Sequence, residues 1–424
     1  MRNNTIIPDG WKNVTLNTLL DLLTDFEANG SFSDVKANVQ VKQTIDYAWY
    51  VRATDLEKNT ELEKVKYVTE SSYNFLKKTS LHGEELLITK RGEIGKVYYF
   101  NKPKKIPCTL APNLYLLKLN SKVDSKFLYH FFKDKTGNDK LKRINASATI
   151  GALYKDDLKN LNILLPSILE QQKIAEILST VDDKIEIIDQ QITETQELKK
   201  GLMQRLLTKG IGHTKFKDSP LGMIPESWEV VKLGDITEQI KDGTHATHKE
   251  VEGGIPLLSA KDIRNGRIYI PNNCRKLSQE DFNSIHKNFK LKDDDILLTV
   301  VGSIGRVAVI NNYNDNYTFQ RSVGYIRLNN HHNSYFFKQY FQSDIFSKQL
   351  LLRSNASAQA GVYLGELSKI LLVSLPIEQQ KKIAEILSSV DDKLEVLLEK
   401  KTHYQELKQG LMQQLLTGKI RVKV

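Results

Sequence analysis

Apolar residues at Ile174, Leu178, Val181, Ile185, Ile188, Ile192, Leu202 and Leu206 fall on alternating three- and four-residue steps. That spacing predicts one long helix with a heptad-like apolar stripe. Leu387, Val390, Leu394, Leu397, Tyr404, Leu411 and Leu415 repeat the pattern. Ser167-x-x-Glu170, just after Pro166, has capping-box spacing, and Pro376 suits the first turn of the second helix. Gly210 and Gly418 sit where the C-terminal stops belong. Roughly 40 residues at 1.5 Å rise make a rod of about 60 Å. One such stripe cannot be buried alone. Two in one chain most simply pack on each other, antiparallel because a whole globular block connects them. Leu178, Val181, Ile185 and Ile188, with Leu387, Val390, Leu394 and Leu397, are then the helix-pairing or partner-docking positions. Two separate helices, each docked on its own domain, are the alternative.

The two helices are copies. KIAEILSTVDDK starts at Lys173 and KIAEILSSVDDK at Lys382, a shift of 209. At that shift 25 of the 39 positions from Lys173 to Ile211 are identical without a gap, which marks an internal duplication. A weaker echo runs through the rest. IPDGW at Ile7 matches IPESW at Ile224, Glu84–Val97 matches Asp294–Val307, and NASATIGALY at Asn145 matches NASAQAGVYL at Asn355. The halves diverge unevenly, so the short block does one job twice and the long block does two versions of one job.

The long blocks show helical periodicity only near their ends, at Phe127–Phe132 and Tyr335–Leu352. Short β-rich runs dominate, such as ILLTVVGSIGRVAVI and VGYIRL, and predict a mixed domain around a curved antiparallel sheet. The expected fold is α+β. Variable globular domains at 1–165 and 211–375 alternate with helical spacers at 166–210 and 376–424, giving a pseudo-twofold repeat with an antiparallel coiled coil. Two G-x-x-G turns, Gly92–Gly95 and Gly302–Gly305, each follow a strand and precede a base, Lys96 or Arg306. Such glycines allow either a tight hairpin or close approach to a phosphate.

An apolar content of 40% describes a chain that forms cores. No apolar run nears the ~20 residues of a membrane span. The opening MRNNTIIPDGW lacks a signal-peptide core, so a cytoplasmic location is expected. Cys108 and Cys274 are the only cysteines and stand outside any CxxC spacing, which fits a reduced compartment and not a zinc site. The net charge is +10. Glu170–Arg205 and Glu378–Gln413 are net acidic, so the positive charge lies on the globular blocks and linkers. Duplicated basic domains joined by a stiff rod point to nucleic acid, because phosphate neutralisation supplies much of such affinity.

Catalytic signals are lacking. GEIGK misses the spacing and the Ser/Thr of a P-loop. His245-x-x-His248 has no carboxylate or cysteine partner at useful spacing, so a loop-histidine reading is preferred to a metal site. The Asp182-Asp183 and Asp391-Asp392 pairs lie on the rods and read as solvated faces or partner contacts. The expectation is a non-catalytic chain holding no metal.

The whole chain resembles the specificity (S) subunit of type I restriction–modification systems. The resemblance rests on IPDGW and IPESW, KDGTHATH at Lys241–His248, the T-x-x-G-x-I-G stretches at Thr89 and Thr299, and the LPxxEQQKIAEILS-type helices. LPIEQQ stands intact at Leu375, whereas the first copy reads LPSILEQQ, with a short insertion at the helix entry. The resemblance implies that each variable domain reads one half of a split site in double-stranded DNA. It implies that the helices form the spacer and bind two modification subunits, with restriction subunits joining them. S-adenosylmethionine, ATP and Mg are expected on those partners, and no cofactor on this chain. Arg and Lys suit phosphates and guanine edges, and Asn and Gln suit adenine edges. The candidates are Arg52, Lys90, Arg91, Lys96, Arg143 and Asn145 in the first domain. In the second they are Lys261, Arg264, Arg306, Gln320, Arg321, Arg353 and Asn355. Lys96/Arg306 and Asn145/Asn355 rank highest, because the duplication keeps their chemistry. The alternatives are a stand-alone DNA methyltransferase or nuclease with unrecognised motifs, and a coiled-coil scaffold without a DNA role.

Overall fold

The structure, a computed structural model, describes residues 7–146, 153–287, 290–354 and 361–424, with only the backbone for 145 and 146. The chain forms two compact units, Met1–Asp189 with Glu399–Val424, and Gln190–Leu398. The helices Ile168–Lys209 and Ile377–Leu415 are each continuous, and each contributes to both units. The boundaries expected at 165, 210 and 375 instead set the helices apart as their own segments.

In the first unit a four-stranded antiparallel sheet runs Leu20–Asp25, Leu114–Leu119, Leu86–Thr89, Val97–Tyr99. All four residues of Leu86–Thr89 are buried, because both faces of the sheet are covered. Leu86 and Ile88 face a core with Phe127, Phe131 and Leu178, while Leu87 joins Trp49, Tyr67 and Leu110 on the other side. The period of two along the strand thus divides one LLIT run between two cores. The second unit repeats the strand order as Thr237–Asp242, Val323–Leu328, Ile296–Thr299, Val307–Val309. Ile296 and Leu298 face one core and Leu297 the other. The expectation of an antiparallel sheet holds for these sheets but misses a second one. There, Ala48–Val51 runs parallel to Cys108–Leu110, and Ile255–Leu258 runs parallel to Thr318–Phe319. Parallel neighbours need a long connection, which leaves no hairpin signal in the sequence.

The helices are fastened to their units by residues of the repeated block. Gln171 is fully buried; its Oε1 accepts from Asp124 N at 2.8 Å, and its Nε2 donates to Pro166 O at 3.0 Å. Gln380 does the same in the second unit, accepting from Asn333 N at 2.8 Å and donating to Leu375 O at 2.8 Å. Ser167, within the two-residue insertion of LPSILEQQ, caps the first helix by accepting from Glu170 N at 3.3 Å. Gly210 and Gly418 end the helices at φ +66° and +70°, in the left-handed region where glycine pays no Cβ penalty. A Cβ on Gly210 would meet Trp228 at 2.7 Å, and one on Gly418 would meet Pro8 at 2.4 Å, so each helix end abuts an IPxxW segment.

Within the first unit Asp182 bonds Lys408 at 2.5 Å and Asp189 bonds Lys401 at 2.6 Å. Within the second, Asp391 bonds Lys199 at 2.6 Å. Asp182 and Asp391 are equivalent under the duplication, as are Lys199 and Lys408. Leu178 and Leu387 are fully buried, Val181, Ile188, Val390 and Leu397 are buried, and Ile185 and Leu394 are half-buried. Leu178 packs with Met412 and Leu415 in the first core, and Leu387 with Leu206 and Leu207 in the second.

Candidate nucleic-acid interface

In the second unit four turns are stitched together at one end of the sheets. Ser259 and Asp262 form a capping box after the Ile255–Leu258 strand, with Ser259 N donating to Asp262 Oδ2 at 2.8 Å. Lys261 is left exposed on that turn. Arg264 Nε donates to Lys261 O at 2.6 Å. Arg306 leaves the G-x-x-G hairpin and donates to Ile263 O at 3.3 Å and Ala260 O at 3.4 Å. Gln320 N bonds Leu258 O, Ala260 N bonds Ser322 Oγ, and Arg321 N bonds Thr244 O. Lys261, Arg264, Arg306 and Arg321 are therefore exposed neighbours, and among the described residues they make no ion pair. A surface of exposed guanidinium and ammonium groups, with the acid of the turn, Asp262, buried and bonded to Ser259, is suited to phosphates. Gln320 adds an exposed carboxamide at its edge. Arg353 donates to Gln349 O at 3.2 Å on a separate helix, and Asn355 lies outside the described residues.

The hairpin bearing Arg306 is zipped by a buried threonine. Thr299 Oγ1 donates to Ser303 O and accepts from Arg306 N at 2.8 Å. Thr89 does the same in the first unit, donating to Glu93 O and accepting from Lys96 N at 2.9 Å. The T-x-x-G-x-I-G motif thus encodes a closed loop. Its glycines have positive φ, and a Cβ on Gly92 or Gly302 would meet open space.

The first unit treats its candidates differently. Lys90 is buried, donating to Asp25 at 2.8 Å and Glu27 at 3.0 Å, and is no surface reader. A buried ammonium is tolerable only when paired, and Lys155 adds a third bond, to Asp25 at 3.0 Å. Burial would raise the Asp25 carboxyl, but the bonds and charges of Lys90 and Lys155 outweigh it and hold the group below its ordinary range. Arg52 grips buried Asp55 through Nε at 2.9 Å and NH2 at 2.5 Å. Lys96 is bonded to Glu57 and Glu93, which together push its pKa up. Arg91 and Arg143 are exposed without an ion pair among the described residues, and the Asn145 side chain lies outside them. Lys96 and Arg306, ranked together by the duplication, thus sit in opposite electrostatic settings.

Sequence reasoning passed over one constellation. Spacing suggested no carboxylate for His245 or His248, yet the fold supplies one to each. His245 Nε2 lies 2.7 Å from Asp242, and His248 Nδ1 lies 3.0 Å from Asp281. The only available signal was KDGTHATH itself; Asp281 is 33 residues away along the chain. No group of three or more metal-ligating side chains occurs among the described residues.

Comparison with known proteins gives the setting for these surfaces. The model of the type I restriction modification DNA specificity domain matches residues 8–197 and 225–409. A Methanocaldococcus jannaschii sequence assigned to the MjaX type I restriction enzyme as specificity subunit is 32% identical over 98% of this chain and 95% of its own length. The crystal structure of a type I restriction–modification S subunit from M. genitalium shares the fold at TM-score 0.59 and 17% identity, covering 98% of both chains. A chain from a structural study of type I complex assembly and conformational transition aligns at TM-score 0.52 and 13% identity, covering 98% of this chain and 99% of that one. A match over both halves, at the two places where the fold repeats, shows that this chain belongs to the type I restriction–modification DNA specificity family.

Proposed function

We propose that this specificity subunit reads a bipartite site in double-stranded DNA, one half with each target domain, 1–165 and 211–375. The observation that carries the reading is one scaffold used twice with different rims. Both units have the same strand order and the same threonine-zipped hairpin. Their charged side chains beside that hairpin differ. A shared scaffold with divergent rims is what two readers of different half-sites need. In the second domain Lys261, Arg264, Arg306 and Arg321 supply phosphate or guanine contacts, and Gln320 suits an adenine edge. In the first, Arg91 and Arg143 take that role, with Asn145 beside them in sequence.

The spacers 166–210 and 376–424 form an antiparallel coiled coil related by a pseudo-twofold axis. The ion pairs support this, since Lys401 and Lys408 meet Asp189 and Asp182 in reversed order. The duplicated helices present equal docking surfaces to two modification subunits, and restriction subunits join through them. S-adenosylmethionine, ATP and Mg belong to those partners, and this chain, working in the cytoplasm, contributes recognition without chemistry. Among the described residues no helix is long and apolar enough to cross a membrane.

Methylome sequencing of a host with and without the chain tests the proposal. A bipartite motif should vanish with the chain. Exchanging residues 1–165 for another such domain should change one half of the motif and keep the other. A change in both halves at once would refute independent reading, and methyl transfer by the purified chain alone would favour the enzyme alternative.

A further inference from the structure

The two units differ directly after the edge strand of the four-stranded sheet. In the first unit Leu20–Asp25 leads into Phe26–Asn29, and the turn is held by the Asp25–Lys90–Glu27 cluster. In the second unit the strand Thr237–Asp242 leads into Gly243–Lys249, and the place of Lys90 is taken by Val300. With no lysine to hold it, this loop has its own support. His248 Nδ1 lies 3.0 Å from Asp281 Oδ1, and His248 Nε2 lies 2.9 Å from Thr244 Oγ1. A carboxylate only accepts, so His248 Nδ1 donates to Asp281, while Nε2 and the Thr244 hydroxyl share the second bond. Thr244 Oγ1 in turn accepts from Ala246 N at 3.2 Å. Both ring nitrogens of His248 are thus engaged, and its side chain is 9% exposed.

This relay fixes the loop against the basic surface. Gly243 N bonds Val323 O, Thr244 N bonds Phe319 O, and Arg321 N bonds Thr244 O. A Cβ on Gly243 would lie 2.1 Å from Phe319 O, so only glycine permits the approach. The loop tip, His245, Ala246 and Thr247, is exposed and contributes nothing to a core. A satisfied polar relay beneath an exposed polar tip is costly to build for folding alone, since an apolar contact would serve as well. Its restriction to one unit argues against a contact common to both, such as a shared partner subunit.

We propose that Gly243–Lys249 is a base-reading loop of the second target domain, and that His248 and Asp281 are positioning residues that hold its tip beside Gln320 and Arg321. The inference rests on the reading of the chain as a two-domain DNA specificity subunit. The tip residues His245 and Thr247 make the base contacts, and the relay fixes where they stand.

The test uses the complete complex in a host and methylome sequencing resolved by half-site. His245→Ala with Thr247→Ala removes two exposed side chains and, with the first, the 2.7 Å contact to Asp242. It should relax the preference at one or two base positions of one half-site by tenfold or more, leaving the other half intact. His248→Ala and Asp281→Asn should relax the same positions less strongly, while His248→Gln, which keeps a donor and an acceptor, restores part of the discrimination. An unchanged motif in the tip variant would overturn the loop's reading role. Uniformly reduced methylation without altered base preference in the relay variants would make the relay merely structural and overturn the positioning role. If the unaltered chain specified no bipartite motif, the underlying reading would fail instead, which is a separate outcome.

Discussion

His130 and Gln339 occupy the same place in the two units and show how one residue sets a pH response. Gln339 Nε2 donates to Asp391 Oδ2 at 2.7 Å. His130 is buried; its Nε2 lies 3.2 Å from Ser179 Oγ, and its Nδ1 lies 3.9 Å from Asp182, which is already engaged by Lys408. Burial first, then the Lys408 charge, lowers its pKa from 6.5 to about 4, against the pull of Asp182. Below pH 6.5 the unfolded chain takes up a proton that the folded chain refuses until about pH 4. Stability from this site is therefore full above pH 6.5 and falls through that window, by about 3 kcal/mol at 1.36 kcal/mol per unit. His130→Gln, importing the second unit's residue, should flatten the urea-unfolding stability between pH 6.5 and about 4. An unaltered slope would mean that His130 is not the titrating group. Residues of this kind were illegible in the sequence: FLYHFF reads as an amphipathic helix, and nothing in it announces that the histidine faces Asp182, 52 residues away.

At the scale of elements, the repeated helix carries two different fastenings. Gln380 satisfies Asn333 N–H and Leu375 C=O inside the second unit. Gln380→Leu would orphan both groups, at roughly 1–3 kcal/mol each, and should lower the melting temperature with no change in the DNA motif. The apolar stripe is the other fastening. Leu178 and Leu387 are fully buried against their own units' cores, so a lysine at either strands a charge in apolar surroundings. Leu178→Lys with Leu387→Lys should cost several kcal/mol per site and disorder the chain or release its partners. Unchanged melting and an unchanged complex on size exclusion would show the stripe unburied. The stripe itself was legible, because a 3.5-residue period needs no knowledge of the partner. The glutamines were quoted only as letters of a motif. Aligning EQQ with EQQ also misplaces them by one residue, since the three-dimensional equivalents are Gln171 and Gln380.

At the scale of the whole molecule, the proposed coiled coil would act as a ruler. Two readers using the major groove from one side need half-sites about one DNA turn apart, roughly 34 Å. Four residues add about one helical turn, 5.4 Å, and nearly keep the phase of the stripe. Four residues inserted after Thr195, matched by four after Glu395 on the opposing helix, preserve the pairs Asp189–Lys401 and Lys199–Asp391 on either side. The expected result is a non-specific gap longer by about one or two base pairs, at about 3.4 Å each, with both half-sites intact. Two-residue insertions turn the stripe by about 200° and should abolish methylation. A gap unchanged by the four-residue insertion would leave the helices only a docking role.

The sequence alone determined the duplication, the two long helices, their capped and glycine-ended limits, and the mixed character of the variable blocks. These are local or periodic properties, written in residues near one another or at a fixed repeat. It also placed Lys261, Arg264, Arg306 and Arg321 among the candidates, although composition could not separate them from Arg52, Lys90 and Lys96. Only the tertiary structure did so, because whether a base stands unpaired depends on which carboxylate the fold brings to it. Asp55 lies three residues from Arg52, but Asp25 lies 65 residues from Lys90 and Glu57 lies 39 from Lys96. The same physics decided the histidines of KDGTHATH. Their spacing along the chain offers no carboxylate to His248, and the Gln279–His286 helix delivers Asp281 to it across the fold.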